Sequence, residues 1–222
     1  MSLSIDPKLI RELEQRAFRA WPALETYSAH GWIQRFSGGY TKRANSINAV
    51  SPKSDLTLEM KNELEAPYAG RGAPAVWRLS PLAPAGSDAL LAQAGYRSID
   101  RSLVQRAPLD DRYRRDPEVA IDSAPSPAWL AGFAEVEDAG RPVAFALGVV
   151  DGDHVGLFDV LVSPTARRRG LARRITQTIG AWGRENGARY MYLQVVATNT
   201  AALPLYAALG FETVYSYAYR VS

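Results

Sequence analysis

The stretch from 158 to 186 restricts the possible folds more than any other part of the chain. "FDVLVSP" reads as a strand and "TARRRG" as a turn, and "LARRITQTIGAWGREN" puts Leu171, Ile175, Ile179 and Trp182 on one helical stripe. A strand that passes through a short turn into an amphipathic helix belongs to an α/β fold. In the turn, Gly170 permits a backbone approach or dihedral that a side chain would block. The first unpaired N–H groups of the helix, and its positive dipole end, face whatever lies in the turn. That makes an anion site of the kind that receives a pyrophosphate. The spacing Arg167-x-x-Gly170-x-Ala172 leaves small residues where a diphosphate would lie against backbone amides. An exposed basic helix start or a nucleic-acid patch would use the same arginines; Arg173 and Arg174, beyond the turn, read as ordinary helix surface.

Charge weighs against the nucleic-acid reading. The 222 residues carry 26 Lys and Arg against 23 Asp and Glu, a formal net charge of +3, so the arginine run sits on a nearly balanced background. Proteins that neutralise many phosphates carry a larger excess. With no cysteine, thiol nucleophiles, disulfides and thiolate metal sites are excluded, and only His30 and His154 remain as imidazoles, so no metal is expected. No apolar run reaches the roughly 20 residues of a membrane helix. The N-terminal "MSLSIDPKLIRELEQ" lacks a signal-peptide core, so the expectation is a soluble cytoplasmic protein without a membrane partner.

Upstream, Asp6 and Pro7 open an amphipathic helix carrying Leu9, Leu13, Ala17 and Trp21. Two strand-like runs in 31–52 flank Gly38-Gly39 as a hairpin. A weak helix over 53–65, the loop "APYAGRGAPA", a strand "AVWRLSP", a helix ending at Gly95 and a strand "SIDRSLVQR" follow. The polar stretch "APLDDRYRRDPEVAIDSAPSP" reads as a linker. Beyond it come strands "WLAGFAEVED" and "RPVAFALGVV", the turn "DGD", the strand–turn–helix unit, a strand "ARYMYLQVV", a short helix ending at Gly210 and a last strand.

The order repeats. "NAVSP" (48–52) parallels "VLVSP" (160–164), and Leu90-Leu91-Ala92 aligns with Leu205-Tyr206-Ala207. Gly95-Tyr96 then falls on Gly210-Phe211, and Ile99 on Val214. The chain therefore reads as a degenerate tandem repeat, residues 1–108 and 109–222. The first copy has no arginine–glycine turn, and Leu91 stands in place of Tyr206.

Two separated patterns carry a family resemblance. "RRRGLA", preceded by a strand, and "NTAALPLYAALGF", with Asn199, Ala202, Tyr206, Gly210 and Phe211 in place, resemble the GCN5-related N-acetyltransferase (GNAT) superfamily. The likeness is firmest over 157–211 and weak in the N-terminal half. It implies an α/β GNAT fold, a mixed central sheet flanked by helices, here in two GNAT-like halves of which the second is catalytic. It implies acetyl-CoA as cosubstrate, held at Val160, Leu161, Val162, Arg167, Arg168, Arg169, Gly170, Leu171, Ala172, Asn199 and Ala202. The pantetheine arm would lie where the strand through 160–162 parts from the strand through 193–196. The N-terminal half is expected to bind no acetyl-CoA and to complete the acceptor pocket or brace the sheet.

The same resemblance makes Tyr206 the general acid for the leaving thiolate, a phenol titrating near ~10 and so protonated at neutral pH. Core packing is its alternative role, as helix capping is for Asn199. Pro204 is tolerable if the helix starts at Thr200 or later. Asp159 is the acid best placed to orient a cationic amine, with Glu135, Glu137 and Asp138 as alternatives. The position where some relatives carry a glutamate is Gly156. Tyr215, Tyr217 and Tyr219 pack one face and could wall the acceptor site. The expected acceptor is a primary amine on a small molecule or peptide, not a nucleic acid, and a homodimer is left open. A CoA-binding sensor without catalysis and a nucleic-acid module are the competing readings.

Overall fold

The structure, a computed structural model, describes residues 6–52, 55–126 and 129–222, with backbone alone for 123–126 and 129–132. In chain order the elements are α1 (Pro7–Ala20), β1 (Glu25–Ala29), β2 (Trp32–Phe36), β3 (Ile47–Ala49), α2 (Leu58–Ala69), β4 (Val76–Leu79), α3 (Ser87–Gln93) and β5 (Arg97–Pro108). They continue with β6 (Ala120–Ser126), β7 (Trp129–Asp138), β8 (Arg141–Asp151), β9 (His154–Val162), α4 (Leu171–Glu185), β10 (Tyr190–Val196), α5 (Leu203–Ala208) and β11 (Glu212–Val221). This is the expected α/β architecture of mixed sheet and flanking helices.

Two compact units form. Residues 1–103, 196–198 and 214–222 make the first, and 104–195 with 199–213 the second. The first unit orders its strands β1-β2-β3-β4-β11, with β3 and β4 parallel and β4 and β11 antiparallel. Its α1 begins as the sequence suggests, the Asp6 carboxylate accepting the Lys8 N–H at 2.9 Å with Pro7 in the first turn. Within this unit the buried carboxylate of Glu14 accepts from Arg78 (2.9 Å at Nη2) and from the Tyr215 hydroxyl. The Arg78 guanidinium lies 3.7 Å from the centre of the Tyr217 ring. Tyr215, Tyr217 and Tyr219 are all buried, so core packing is what they do.

Three segments depart from the sequence reading. Strand β1 is an extra edge strand, joined to β2 through His30 (φ 52°) and Gly31 (φ 78°), the pair of positive φ values that a tight hairpin turn needs. The stretch read as a linker is structured: Tyr113 and Val119 are buried and β6 lies within it. Helix α2 also runs past Pro67 to Ala69, anchored by buried Tyr68, whose hydroxyl donates to the Arg35 carbonyl at 3.1 Å.

The internal repeat is visible in geometry. Tyr96 N–H bonds the Leu91 carbonyl at 2.9 Å and Phe211 N–H the Tyr206 carbonyl at 3.0 Å, behind Gly95 (φ 89°) and Gly210 (φ 82°). Both short helices thus end in the same glycine-centred cap. At the position whose carbonyl accepts this bond only the second has a phenol, Tyr206; its counterpart Leu91 is fully buried.

The second unit orders its strands β5-β10-β9-β8-β7-β6, β9 and β10 being parallel and β6 to β9 successively antiparallel. Helix α4 lies close to this sheet because glycines permit it. A Cβ on Gly183 would stand 2.7 Å from Val155, and one on Gly148 2.8 Å from Ile179. At Gly180 it would stand 2.2 Å from the ring of Tyr113. Gly180→Ala gains about 1 kcal/mol of helix propensity, but overpacking against a buried ring costs about 1–3 kcal/mol. A net loss of about 1 kcal/mol is expected in urea unfolding; a stabilised variant would mean that the close contact is not made.

Candidate active site

Strands β9 and β10 pair only at their beginnings, His154–Leu157 against Tyr190–Leu193. Beyond Leu157 the two strands share no register among the described residues. The cause lies on the other side of β9. Leu147 of β8 stands opposite Phe158 but Phe145 stands opposite Leu161, so Asp159 and Val160 together face one residue, Ala146. Asp159 takes φ 48°, in the left-handed region. A bulge of this kind bends the strand that carries it, and here it turns the end of β9 away from β10. The main chain of Val160, Leu161 and Val162 then walls a cleft of about 610 Å³.

The turn after β9 forms the next wall. Arg168 (φ 65°) and Gly170 (φ 77°) both adopt left-handed backbone, and Gly170 is the N-cap of α4. A Cβ on Gly170 would meet nothing within 4 Å, so its dihedral, not crowding, demands glycine. The Arg174 N–H bonds the Gly170 carbonyl at 3.1 Å, which leaves the earlier N–H groups of Leu171, Ala172 and Arg173 at the cleft, all three of these residues lining it.

The five arginines have different fates. Arg167, Arg168 and Arg173 line the cleft and make no ion pair among the described residues. Arg169, counted from sequence with the cofactor contacts, does not line it; its guanidinium pairs with Asp138 at 2.7 Å. The sequence treats Arg173 and Arg174 alike, as ordinary helix surface; Arg173 instead lines the cleft, and Arg174 binds Asp116 at 2.6 and 2.9 Å and also reaches Glu118. Hydrogen bonding from Arg174 holds the Asp116 carboxyl below its ordinary range.

Helix α5 closes the cleft. Asn199 Oδ1 accepts the Ala202 N–H at 3.1 Å, so this side chain caps the turn as well as lining the cleft. The helix starts at Leu203, which puts Pro204 in the first turn and leaves the helix unkinked. Tyr206 lines the same cleft, 7% exposed, its ring edge-on to Phe211 at 5.5 Å. Burial pushes its phenol up to about 12. It therefore keeps its proton at every ordinary pH.

Of the sequence candidates, Asp159 and Arg169 lie off the cleft lining, Asp159 exposed at the bulge. At Gly156 a side chain would meet Phe158 at 2.6 Å and Tyr192 at 2.8 Å, so these two rings occupy the place of a glutamate there. Ala166, Ala201 and Leu205 line the cleft without having been assigned to it from the sequence, as does Arg173, which the sequence placed on the helix surface. Arg173 had a signal, standing three residues after Gly170 on the first turn of α4. Among the described residues no cluster of His, Asp or Glu could hold a metal ion, and no helix is long and apolar enough to cross a membrane.

A mixed α/β fold, a bulge that parts two parallel strands, a helix N-terminus ringed by arginines and a buried phenol together define an N-acetyltransferase. Residues 96–211 match the model of the Acetyltransferase (GNAT) family, and the chain belongs to that family. It is 30% identical to the uncharacterized N-acetyltransferase YobR of Bacillus subtilis (strain 168), over 96% of this chain and 98% of that protein. The GCN5-related N-acetyltransferase from Kribbella flavida shares the fold at a TM-score of 0.72 and 14% identity, over 100% of this chain and 96% of its own. A tandem GNAT protein from the clavulanic acid biosynthesis pathway does so at 0.61 and 10%, over 95% and 87%.

Proposed function

We propose that the chain is an acetyl-CoA-dependent N-acetyltransferase with one cofactor site, the cleft of the second unit, and a primary amine on a small molecule or peptide as acceptor. The observation that carries this reading is the meeting in one cleft of three arginines that make no ion pair among the described residues, the open N-terminus of α4 and Tyr206. Arg167 and Arg168 would flank the diphosphate, with the N–H groups of Leu171 and Ala172 beneath it. The free main-chain edge of Val160–Val162 would take the pantetheine amides as an added strand would. Bound acetyl-CoA would supply the thioester, and the acceptor nitrogen, once its ammonium form has lost a proton to solvent, would attack the carbonyl carbon.

As the C–S bond breaks, Tyr206 would give its phenolic proton to the departing sulfur, and the proton shed by the acylated nitrogen would return through solvent to the phenolate. Asp159, exposed on the bulge, orients the acceptor's ammonium group, and its left-handed backbone fits the strain found at functional positions. The first unit lacks the arginine–glycine turn and has Leu91 in place of Tyr206, so it binds no acetyl-CoA under this proposal.

The test is calorimetric titration with CoA followed by a screen of amines for release of CoA thiol. One site per chain and thiol release with at least one amine class are expected. Two equal sites would overturn the assignment to the second unit alone. Binding without thiol release across the panel would leave a CoA sensor instead of an enzyme.

A further inference from the structure

The segment 109–118 contains no helix or strand, yet it is held from one end to the other. The Leu109 N–H bonds the Arg189 carbonyl at 2.9 Å. Arg184 donates to the Asp110 carbonyl at 2.7 Å and Gln177 Nε2 to the Arg112 carbonyl at 2.6 Å. The Asp116 N–H reaches Thr178 Oγ1 at 3.1 Å, and its carboxylate holds Arg174. All of these partners but Arg189 are on α4, the helix whose N-terminus forms the anion cradle. The strap is therefore an extension of α4.

From this strap one side chain reaches α5. Tyr113 is 1% exposed, its ring lies against Gly180, and its hydroxyl donates to the Leu209 carbonyl at 2.8 Å. The Leu209 N–H in turn donates to the Tyr206 carbonyl at 3.0 Å, and the Phe211 N–H donates to the same carbonyl at 3.0 Å. One residue further on, the Arg112 guanidinium lies so close to Gly210 that a Cβ there would be 2.1 Å from Nη1. Burial keeps the Tyr113 phenol protonated, so it stays a donor.

We infer that Tyr113 is a positioning residue for Tyr206, fixing the end of α5 to α4 so that the phenol and the diphosphate cradle keep one geometry. This rests on the proposed acetyl-transfer reading, since it assigns Tyr113 a role in the same step. Core filling alone would use the ring of Tyr113 and not its hydroxyl. The hydroxyl is the part that addresses α5, which is why the phenylalanine variant isolates it.

The experiment is a double-mutant cycle in the full chain with Y113F, Y206F and the double variant. It reads kcat for thiol release with the best amine found, CoA affinity, and the thermal midpoint. Y113F is expected to lower kcat about tenfold with CoA affinity within twofold of wild type, the size of effect a small misplacement of a catalytic group produces. In the Y206F background the same change is expected to have no further effect. Equal losses in both backgrounds, or CoA affinity falling in step with kcat, would overturn the inference.

4-Aminophenylalanine at 113 keeps a donor at the ring tip and is expected to restore kcat to within twofold. If Y113F does not fold, 4-fluorophenylalanine at 113, which fills the hydroxyl's place without donating, replaces it in the cycle: a loss of kcat that vanishes in the Y206F background supports the tether, and an equal loss in both backgrounds overturns it. If no amine gives thiol release even with wild type, the enzyme reading fails by itself. The tether is then read from the fluorine resonance of 3-fluorotyrosine at 206, which Y113F must shift; an unmoved resonance overturns the tether.

Discussion

Tyr206→Phe is expected to slow acetyl transfer by about 10²–10³-fold, the range in which general acid catalysis contributes, while CoA binds within twofold of wild type. The ring stays against Phe211, and among the described residues the Tyr206 hydroxyl has no protein hydrogen-bond partner to leave stranded. Stability should therefore barely change. Burial raises the phenol to about 12, and the direction of that shift matters in two ways. The proton is present through neutral and mildly alkaline pH, so a fall in rate between pH 8 and 10 is expected to come from another group. A raised value also makes Tyr206 a weaker acid toward a thiol of ordinary basicity. The offset is that the sulfur departs in the same desolvated cleft, where its own charged form is disfavoured. The expected signature is a large drop in kcat with the alkaline part of the pH profile unchanged in shape. A loss smaller than tenfold would remove Tyr206 from the chemistry and leave it a cleft-lining aromatic.

What the sequence reveals is local, and what it hides depends on pairing. The unit from Phe158 to Glu185 is legible because the apolar stripe of Leu171, Ile175, Ile179 and Trp182 and the glycine before it lie within one short window. The bulge at Asp159 is not, because it exists only in relation to Phe145 and Leu147 on a neighbouring strand. Strand β1 is exposed along nearly its whole length, so it shows no alternation to read. The strap around Tyr113 resembles a linker because it is polar and carries a proline. Its one buried ring answers to Gly180, a glycine whose purpose appears only once its neighbour is known. The arginines show the limit most clearly. Arg167, Arg168, Arg169, Arg173 and Arg174 are equivalent as letters, and only the fold sends Arg169 to Asp138 and Arg174 to Asp116 while the other three line the cleft.

That division of labour sets the second large effect. Gly170→Val is expected to weaken CoA binding by about 100-fold, equivalent to about 2.7 kcal/mol. The physical cause is the backbone. At φ 77° a side chain other than glycine is strained, at a cost of roughly 1–2 kcal/mol. A branched side chain relieves that strain by rotating the turn, which swings the N–H groups of Leu171 and Ala172 off their aim. Losing two charge-assisted hydrogen bonds at about 1.5–3 kcal/mol each is enough for the predicted loss even if the turn recovers partly. The added methyls find open space, with nothing within 4 Å of the Cβ, so the fold itself should lose only the strain energy and remain folded at room temperature. Arg168→Gln serves as the contrast. It removes charge without touching the backbone, so its loss should be about tenfold and should shrink as salt is raised, whereas the Gly170→Val loss should persist in salt. Calorimetry with CoA at low and high ionic strength separates the two. If Gly170→Val bound CoA as tightly as wild type while Arg168→Gln did not, the site would be a diffuse basic surface and the turn's backbone would have no part in holding a diphosphate.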